Sequence, residues 1–385
     1  MRKKKVAVVL SVEPQNGGEF QYALLIMQCL QKLSGKRFEV IGICINKFWR
    51  RWCRQNHISF IKCDWPKASE KVLKQNLKFP LYSRIYNSYM TELGKVIRKE
   101  KIDVLFLTDQ IRYVPNLAVK VISPLHDLMH RYEPDFPEVK CSFDRRELCL
   151  KSQVKYVDYI LTDSKLGKKQ FCESYLKKAK RRPHIVSLPF VAPKHIDQMQ
   201  EEYVDVPDKY VFYPAQFWKH KNHINLLKAI QILTTRITDI HLVLVGSEKN
   251  CYEEIQTYIK KNNLDNYVTI LGFVSNESIT YLYRHAVGLV MPSYFGPTNI
   301  PPLEAMALGC PAAVSDKYAM PEQVGKAGLL FSPDSPEEIA DCIEKMWTDE
   351  KLRAKMIAEG YRQIHKWTEK DFRNRLLKVI ERLLD

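Results

Sequence analysis

Glycine is scarce in this chain, 14 of 385 residues, and the 20 prolines are scattered, which excludes a collagen-like or linker-like polymer. None of the ten cysteines falls in a Cys-x-x-Cys, so neither a zinc ribbon nor a dithiol redox motif is expected. Most stand in apolar stretches such as Gly42-Ile-Cys-Ile45, as free, reduced thiols do in the cytosol. Nowhere do eighteen apolar residues run together, which excludes a membrane-spanning helix. The opening Met1-Arg-Lys-Lys-Lys-Val-Ala-Val-Val-Leu-Ser-Val has the basic start of a signal peptide. Its apolar run is too short, however, and Glu13-Pro-Gln-Asn-Gly-Gly follows at once, so a buried first strand explains it better. What is present is a hydrophobic fraction of 45%, normal for a globular chain, and enough length for two domains.

Acidic residues are also few, but in one half only. Residues 1–195 carry 38 Lys and Arg against 18 Asp and Glu; residues 196–385 carry 22 against 26. The asymmetry supports two domains and says that the first meets an anionic partner: nucleic acid, a membrane surface or a phosphate-bearing substrate. The densest basic segment is Lys47-Phe-Trp-Arg-Arg-Trp-Cys-Arg54, followed by Trp65. With Lys47, Trp49, Arg50, Arg51 and Arg54 outward, it suits a lipid headgroup layer or an anionic acceptor. The same residues could stack on bases. They also suit a solvated helix with Phe48 and Trp52 packed inward.

Along the chain, short apolar strands alternate with amphipathic helices in two series. The first runs through strands at Val6–Val12, Phe38–Ile45, Val104–Leu107, Val119–Ser123 and Tyr159–Thr162, with helices at Glu19–Leu33, Phe48–Gln55, Tyr86–Glu100 and Phe143–Val157. The second has strands at Tyr210–Pro214, His241–Val245, Val268–Leu271, Val287–Met291 and Ala312–Ser315, with helices at Ile224–Leu233, Tyr252–Asn262, Glu277–His285, Pro302–Ala307 and Pro336–Trp347. Strands apolar throughout and separated by helices indicate parallel sheets buried on both faces, hence an α/β fold of two doubly wound Rossmann-like domains. The polar, proline-bounded stretch 191–207 reads as a hinge. At the end, Trp367–Leu384 is amphipathic, with Phe372, Leu376, Leu377, Ile380 and Leu383 in one stripe.

Ligands of such sheets sit beyond the carboxyl ends of the strands. Asn16-Gly-Gly-Glu19 follows the first strand, where paired glycines bring amides close to a phosphate or merely serve a tight turn. Ser123-Pro-Leu-His-Asp-Leu-Met-His130 follows another; His126 and Asp127 are placed to bond a ligand, or Asp127 to cap a helix. Thr162-Asp-Ser164 reads as an N-cap, with a ligand contact also open to it. Tyr213-Pro-Ala-Gln-Phe-Trp-Lys-His-Lys-Asn222 sets Lys221 just before a helix, where a cation neutralises a diphosphate. Leu271-Gly-Phe-Val274 is a glycine-permitted turn that can present backbone groups to a base. The strongest signal is Phe295-Gly-Pro-Thr-Asn-Ile-Pro-Pro-Leu-Glu304. A strand ends, the loop turns, and a helix starts with prolines in its first turn. Amides of Thr298, Asn299 and Ile300 can surround phosphate oxygens, and Glu304, one turn in, can accept bonds from ribose hydroxyls.

At these residues the chain resembles the retaining, nucleotide-sugar-dependent glycosyltransferases of family four, also called group 1, which have the GT-B fold. The resemblance covers essentially the whole chain and is sharpest over 210–332. It implies an acceptor-binding domain at 1–195, a nucleotide-sugar-binding domain at 205–365, a deep cleft between them, and a helix at 366–385 crossing back to the first. It implies that Gly17 and Gly18 face the diphosphate, that His126 lies near the transferred sugar, and that Lys221 binds phosphate. Gly272, Phe273 and Val274 would flank the base, and Glu304 would hold the ribose, with Gln216, Thr298, Asn299, Ile300 and Leu303 completing the donor site. Two positions depart from the family pattern: Gly296 replaces a glutamate eight residues before Glu304, and Gln216 replaces an arginine five residues before Lys221.

The expected reaction is transfer of a sugar, with retention, from a nucleoside-diphosphate sugar to a glycan acceptor. No metal and no cofactor are expected, since the nucleotide sugar is a substrate. The basic first half fits a lipid-linked acceptor at an anionic, cytosolic membrane face, as in surface polysaccharide assembly. A nucleic-acid partner leaves the Phe295–Glu304 loop unexplained. An epimerase of the same fold, or an inactive sugar-nucleotide binder, remains as an alternative.

Overall fold

A segment such as Val6-Ala-Val-Val-Leu10 can shed water from both faces only inside a parallel sheet covered by helices on each side. The structure, a computed structural model, describes residues 2–14, 17–35, 37–64, 69–110, 113–193, 199–296 and 299–385, and contains that arrangement twice. The first sheet is built of β1 (Lys4–Leu10), β2 (Phe38–Cys44), β3 (Phe60–Lys62), β4 (Val104–Leu107), β5 (Lys120–Leu125), β6 (Tyr159–Thr162) and β7 (His184–Ser187). Their order is β3-β2-β1-β4-β5-β6-β7. The second is built of β8 (Val211–Pro214), β9 (Leu242–Val245), β10 (Val268–Ile270), β11 (Gly288–Met291), β12 (Ala312–Ser315) and β13 (Gly328–Phe331), in the order β10-β9-β8-β11-β12-β13. Every recorded pairing is parallel.

The chain folds as two units. One comprises Met1–Arg131, Ser142–Phe190 and Glu369–Asp385; the other comprises Tyr132–Cys141 and Val191–Thr368. In the second unit Tyr210, Phe212, Phe217, Leu244 and Met291 are fully or almost fully buried, each such side chain contributing roughly 1.5–3 kcal/mol. The final helix, Glu369–Leu384, belongs to the first unit, burying Phe372, Leu376, Val379 and Ile380 and pairing Glu369 with Lys32 at 2.7 Å. Residues 194–198 of the stretch read as a hinge lie outside the described residues.

Three strands have no counterpart in the sequence pattern: β3, β7 and β13. All three are sheet edges and only partly covered; β3 and β7 include polar residues, whereas β13 is the apolar run Gly328-Leu-Leu-Phe331. The helix expected over Tyr86–Glu100 is two helices, Pro80–Tyr89 and Glu92–Glu100. Thr91 breaks it by accepting a bond from the Gly94 amide at 3.1 Å and donating to the Asn87 carbonyl at 2.5 Å. Gly94 is obligatory there, since a Cβ would lie 2.0 Å from the Asn87 oxygen.

Each doubly wound sheet has one point where the strand order reverses, and the loops leaving the two strands there part to open a crevice. In the first sheet that point lies between β1 and β4; in the second it lies between β8 and β11.

Candidate functional site

In the first unit the crevice is lined by the loops after β1, β4, β5 and β6. Strand register decides the central contact. Leu125 of β5 stands opposite Thr162 of β6, so the next residues, His126 and Asp163, emerge side by side. His126 Nδ1 lies 2.9 Å from Asp163 Oδ2, and the ring meets Tyr22 edge-on at 4.8 Å. Burial works against a charge on His126, but Asp163, with Glu19 and Asp127, outweighs it and raises the imidazole to about 9. The ring is therefore protonated at neutral pH. Its buried Nε2 has no partner among the described residues, leaving one N–H to give to a ligand.

Gln110, after β4, holds this loop in place. Its Oε1 accepts the amides of His126 and Asp127, its Nε2 donates to the Asp127 carbonyl, and its own carbonyl accepts Gln153 Nε2 at 2.9 Å. Asp127 does not form a second reactive group beside His126. Its Oδ1 accepts the Met129 amide at 3.0 Å and Arg146 Nη1 at 2.9 Å, so the carboxylate is committed to the turn. Asp163 takes the place beside the imidazole, while Ser164 is the helix cap, accepting from Gly167 at 2.9 Å. Gly17 has φ +58 and starts the helix Gly18–Leu33; both glycines are exposed, and Asn16 lies outside the described residues. Glu19, in the first turn of that helix, has its carboxyl raised by burial and then by Asp109.

In the second unit the loops after β8 and β11 meet. Lys221 Nζ lies 3.4 Å from Asn299 Oδ1. Burial lowers the Lys221 ammonium to about 8, against an opposing pull from Glu138. Asn299 is 8% exposed, and its Nδ2 donates to the Gly296 carbonyl at 3.3 Å. Gly296 has φ +133, and a Cβ there would lie 2.5 Å from Asn299 Nδ2. The Asn299 side chain thus fills the space beside the departed glutamate position. The Asn299 amide, expected to face phosphate, instead donates to Gln323 Oε1 at 3.0 Å, and Gln323 Nε2 returns a bond to the Asn299 carbonyl. Thr298 lies outside the described residues.

Glu304 sits on the helix Ile300–Ala307 and accepts a bond from the Tyr283 hydroxyl at 2.9 Å. Burial raises its carboxyl to about 7, with Tyr283 pulling the other way. Leu303, on the same helix, is buried, and Ile300 is half-buried. After β10, Gly272 has φ +70 and its carbonyl accepts the Gly246 amide at 2.8 Å. Gly246 itself can only be glycine, since a Cβ would lie 2.2 Å from the Ala215 oxygen. Phe273 is 84% exposed and Val274 packs on the core. Gln216 Oε1 accepts the Trp218 indole N–H at 2.8 Å.

The residues 132–141 of this unit brace the loop after β11. Glu138 lies 3.3 Å from His220 Nδ1, and His220 stacks flat on Phe295 at 4.0 Å between centroids. Burial would raise the Glu138 carboxyl, but His220 and Asn250 hold it down at about 2. Nothing in the sequence pattern singles out Gln110, Tyr283, Gln323 or Glu138, because each acts across a sheet or between distant segments. Asp163 had a signal, its place just after a strand, but register is needed to set it against His126.

The basic segment forms the helix Lys47–Gln55. Trp49 is fully buried, with its indole N–H on the Val12 carbonyl at 2.6 Å, and Cys53 is buried one turn later. Trp49 therefore does not face a membrane or acceptor, and the inward pair is Trp49 and Cys53 rather than Phe48 and Trp52. Lys47, Arg51 and Arg54 are exposed, Arg50 is half-buried, and Trp65 lies outside the described residues. Among the described residues no three His, Cys, Asp or Glu side chains converge as a metal site requires.

Two parallel, doubly wound units, each with a crevice at its switch point, make up the GT-B fold. Solved structures share the fold over nearly the whole chain. Sucrose-phosphate synthase from Thermosynechococcus elongatus superimposes with a TM-score of 0.72 at 15% identity, covering 99% of each chain. HepE from Anabaena, in complex with UDP and glucose, superimposes with a TM-score of 0.68 at 16% identity, covering 98% of this chain and 99% of that one. Residues 195–363 match the family of glycosyl transferases group 1. O-antigen chain mannosyltransferase B from Escherichia coli is 26% identical over 65% of this chain and 67% of its own. O-antigen chain mannosyltransferase RfbU from Salmonella typhimurium is 23% identical over 86% and 87%. The chain is a glycosyltransferase, and its resemblance to group 1 is carried by residues 195–363.

Proposed function

We propose that the protein moves a sugar, with retention and without a metal, from a nucleoside-diphosphate sugar to a lipid-linked glycan during surface polysaccharide assembly. The observation that carries this reading is the convergence of Lys221 and Asn299 at the switch point of the second sheet, one helical turn from Glu304. A half-buried, partly desolvated ammonium is suited to a diphosphate whose negative charge grows as the glycosyl bond breaks. Glu304, raised by burial, is suited to ribose hydroxyls, which would stabilise its anion on binding. In the first unit the protonated His126 offers its Nε2–H to the sugar, and Asp163 holds the ring's charge and orientation through Nδ1. The second unit is the donor domain in this reading and the first the acceptor domain. The names of the two bacterial relatives make mannose the sugar to test first and a growing polysaccharide the acceptor class.

The test is incubation with a panel of nucleoside-diphosphate sugars, mannosyl donors included, with and without a lipid-linked acceptor and with and without chelator. Nucleotide release that requires the acceptor, survives the chelator and yields a product with the donor's anomeric configuration by NMR supports the reading. Release without acceptor indicates an epimerase or hydrolase, and binding without release an inactive binder; either outcome overturns it.

A further inference from the structure

The helix Pro80–Tyr89 is amphipathic in the wrong sense for a solvated surface. It buries Ser83, Asn87 and Ser88 and exposes Leu81, Tyr82, Ile85, Tyr86 and Tyr89. Phe79 and Met90, at its two ends, are also more than half exposed. These side chains form one face, since positions 81, 82, 85, 86 and 89 recur at helical spacing. Exposed large apolar side chains scattered singly need no explanation, but a contiguous face marks an interaction site. The face is held rigidly: Gly94 brings the following helix into direct contact with the Asn87 backbone, and Asn116 donates to the Pro80 carbonyl at 2.8 Å.

Charge says what covers it. From Lys71 to Thr91 there is no acidic residue, while Lys71, Lys74, Lys78 and Arg84 are exposed, and among the described residues none of these four is in an ion pair. No helix among the described residues is long and apolar enough to cross a membrane. Tyrosines set among cations are what a headgroup layer accommodates. Leu81, Ile85 and Met90 have no use in stacking bases but gain from an acyl boundary.

We infer that the Phe79–Met90 face, with the cations of 71–84, docks on an anionic lipid surface, lying in its interface rather than spanning it. The docking element is this helix and not the Lys47–Arg54 segment, whose Trp49 is core and whose Phe48 and Trp52 are half-buried. The inference is independent of the donor-site reading: a protein that bound vesicles but turned over no nucleotide sugar would refute that reading and leave this one intact.

The experiment is cosedimentation of the full chain with phosphatidylcholine vesicles and with vesicles that also carry phosphatidylglycerol, at low and high salt. Wild type should pellet with the anionic vesicles, less so at high salt. L81S/Y82S/I85S alters only exposed side chains, so folding is checked by an unchanged circular dichroism spectrum. It should bind at least about tenfold more weakly, on the scale of one large apolar group withdrawn from lipid. Each of K71Q, K74Q and K78Q should weaken binding about fivefold, and only to anionic vesicles. K47Q/R51Q/R54Q should bind nearly as wild type. No pelleting of wild type with anionic vesicles overturns the inference. So does wild-type binding by the triple serine variant, or loss confined to K47Q/R51Q/R54Q. Self-association of the wild type through this face, abolished in the triple variant and without vesicle binding, would equally overturn it.

Discussion

Replacing Lys221 by methionine should change activity and stability in opposite directions. Methionine keeps the length of the side chain and removes the charge. If the ammonium faces the departing diphosphate at about 4 Å in a partly desolvated site, the attraction is about 4 kcal/mol, so kcat/KM should fall about a thousandfold. Stability has the other sign. Burial lowers the Lys221 pKa from 10.5 to about 8, so the folded state disfavours its charged form. Between pH 8 and 10.5 the unfolded chain holds more protons, and stability rises with pH through that window. Below pH 8 the penalty is present in full, amounting to about 2 kcal/mol once the weak bond to Asn299 is set against it. K221M should therefore unfold at a temperature higher by several degrees at pH 7, and that gain should vanish near pH 10.5. The assays are steady-state kinetics with the active nucleotide sugar and thermal unfolding across pH 7 to 10.5. A loss of less than tenfold in kcat/KM would refute the diphosphate role. A lower melting temperature at pH 7 would refute the argument from burial, whatever the kinetics.

Three further outcomes test the neighbouring groups. His126 is raised from 6.5 to about 9, so the charged pair with Asp163 stabilises fully below pH 6.5 and is lost as pH rises through 9, up to about 3 kcal/mol; D163N should flatten that decline and bring the His126 NMR titration back towards 6.5. Glu304, raised to about 7, should release a fraction of a proton when donor binds at pH 7, seen by calorimetry in buffers of different ionisation enthalpy and absent in E304Q. Gly296→Ala should leave the fold intact but weaken donor binding about tenfold, because the new Cβ drives Asn299 away from Lys221 and φ +133 suits only glycine; unchanged affinity would show that the Asn299 position is not used.

Much of the layout was legible from periodicity. Strands buried on both faces, such as β1 and β9, carry unbroken apolar runs, and helices between them carry one apolar stripe, so two parallel sheets follow. Edge strands β3 and β7 were not legible, because a short, half-covered strand tolerates polar residues and breaks the apolar run. The loop motifs were legible for a related reason: a phosphate or a tight turn demands glycine, and Gly17, Gly272 and Gly296 all have positive φ. The direction of side chains was not. Lys47–Arg54 carries Phe48, Trp49 and Trp52 along one broad arc of the helix, and only the neighbouring strands determine that Trp49 is the one turned inward.

Sequence by itself determined the fold class, the two-unit division of charge, and the positions of His126, Lys221, Asn299 and Glu304 at the ends of strands or the starts of helices. Those properties depend on local spacing and on residue types that few other positions tolerate. Tertiary structure alone decided the partnerships. Asp163 meets His126 through the register of β5 against β6. Lys221 meets Asn299 because β8 and β11 are neighbours although 73 residues separate the end of one from the start of the other. It also decided the surface, turning the apolar stripe of Pro80–Tyr89 outward because the serines and Asn87 fit the close packing against Gly94.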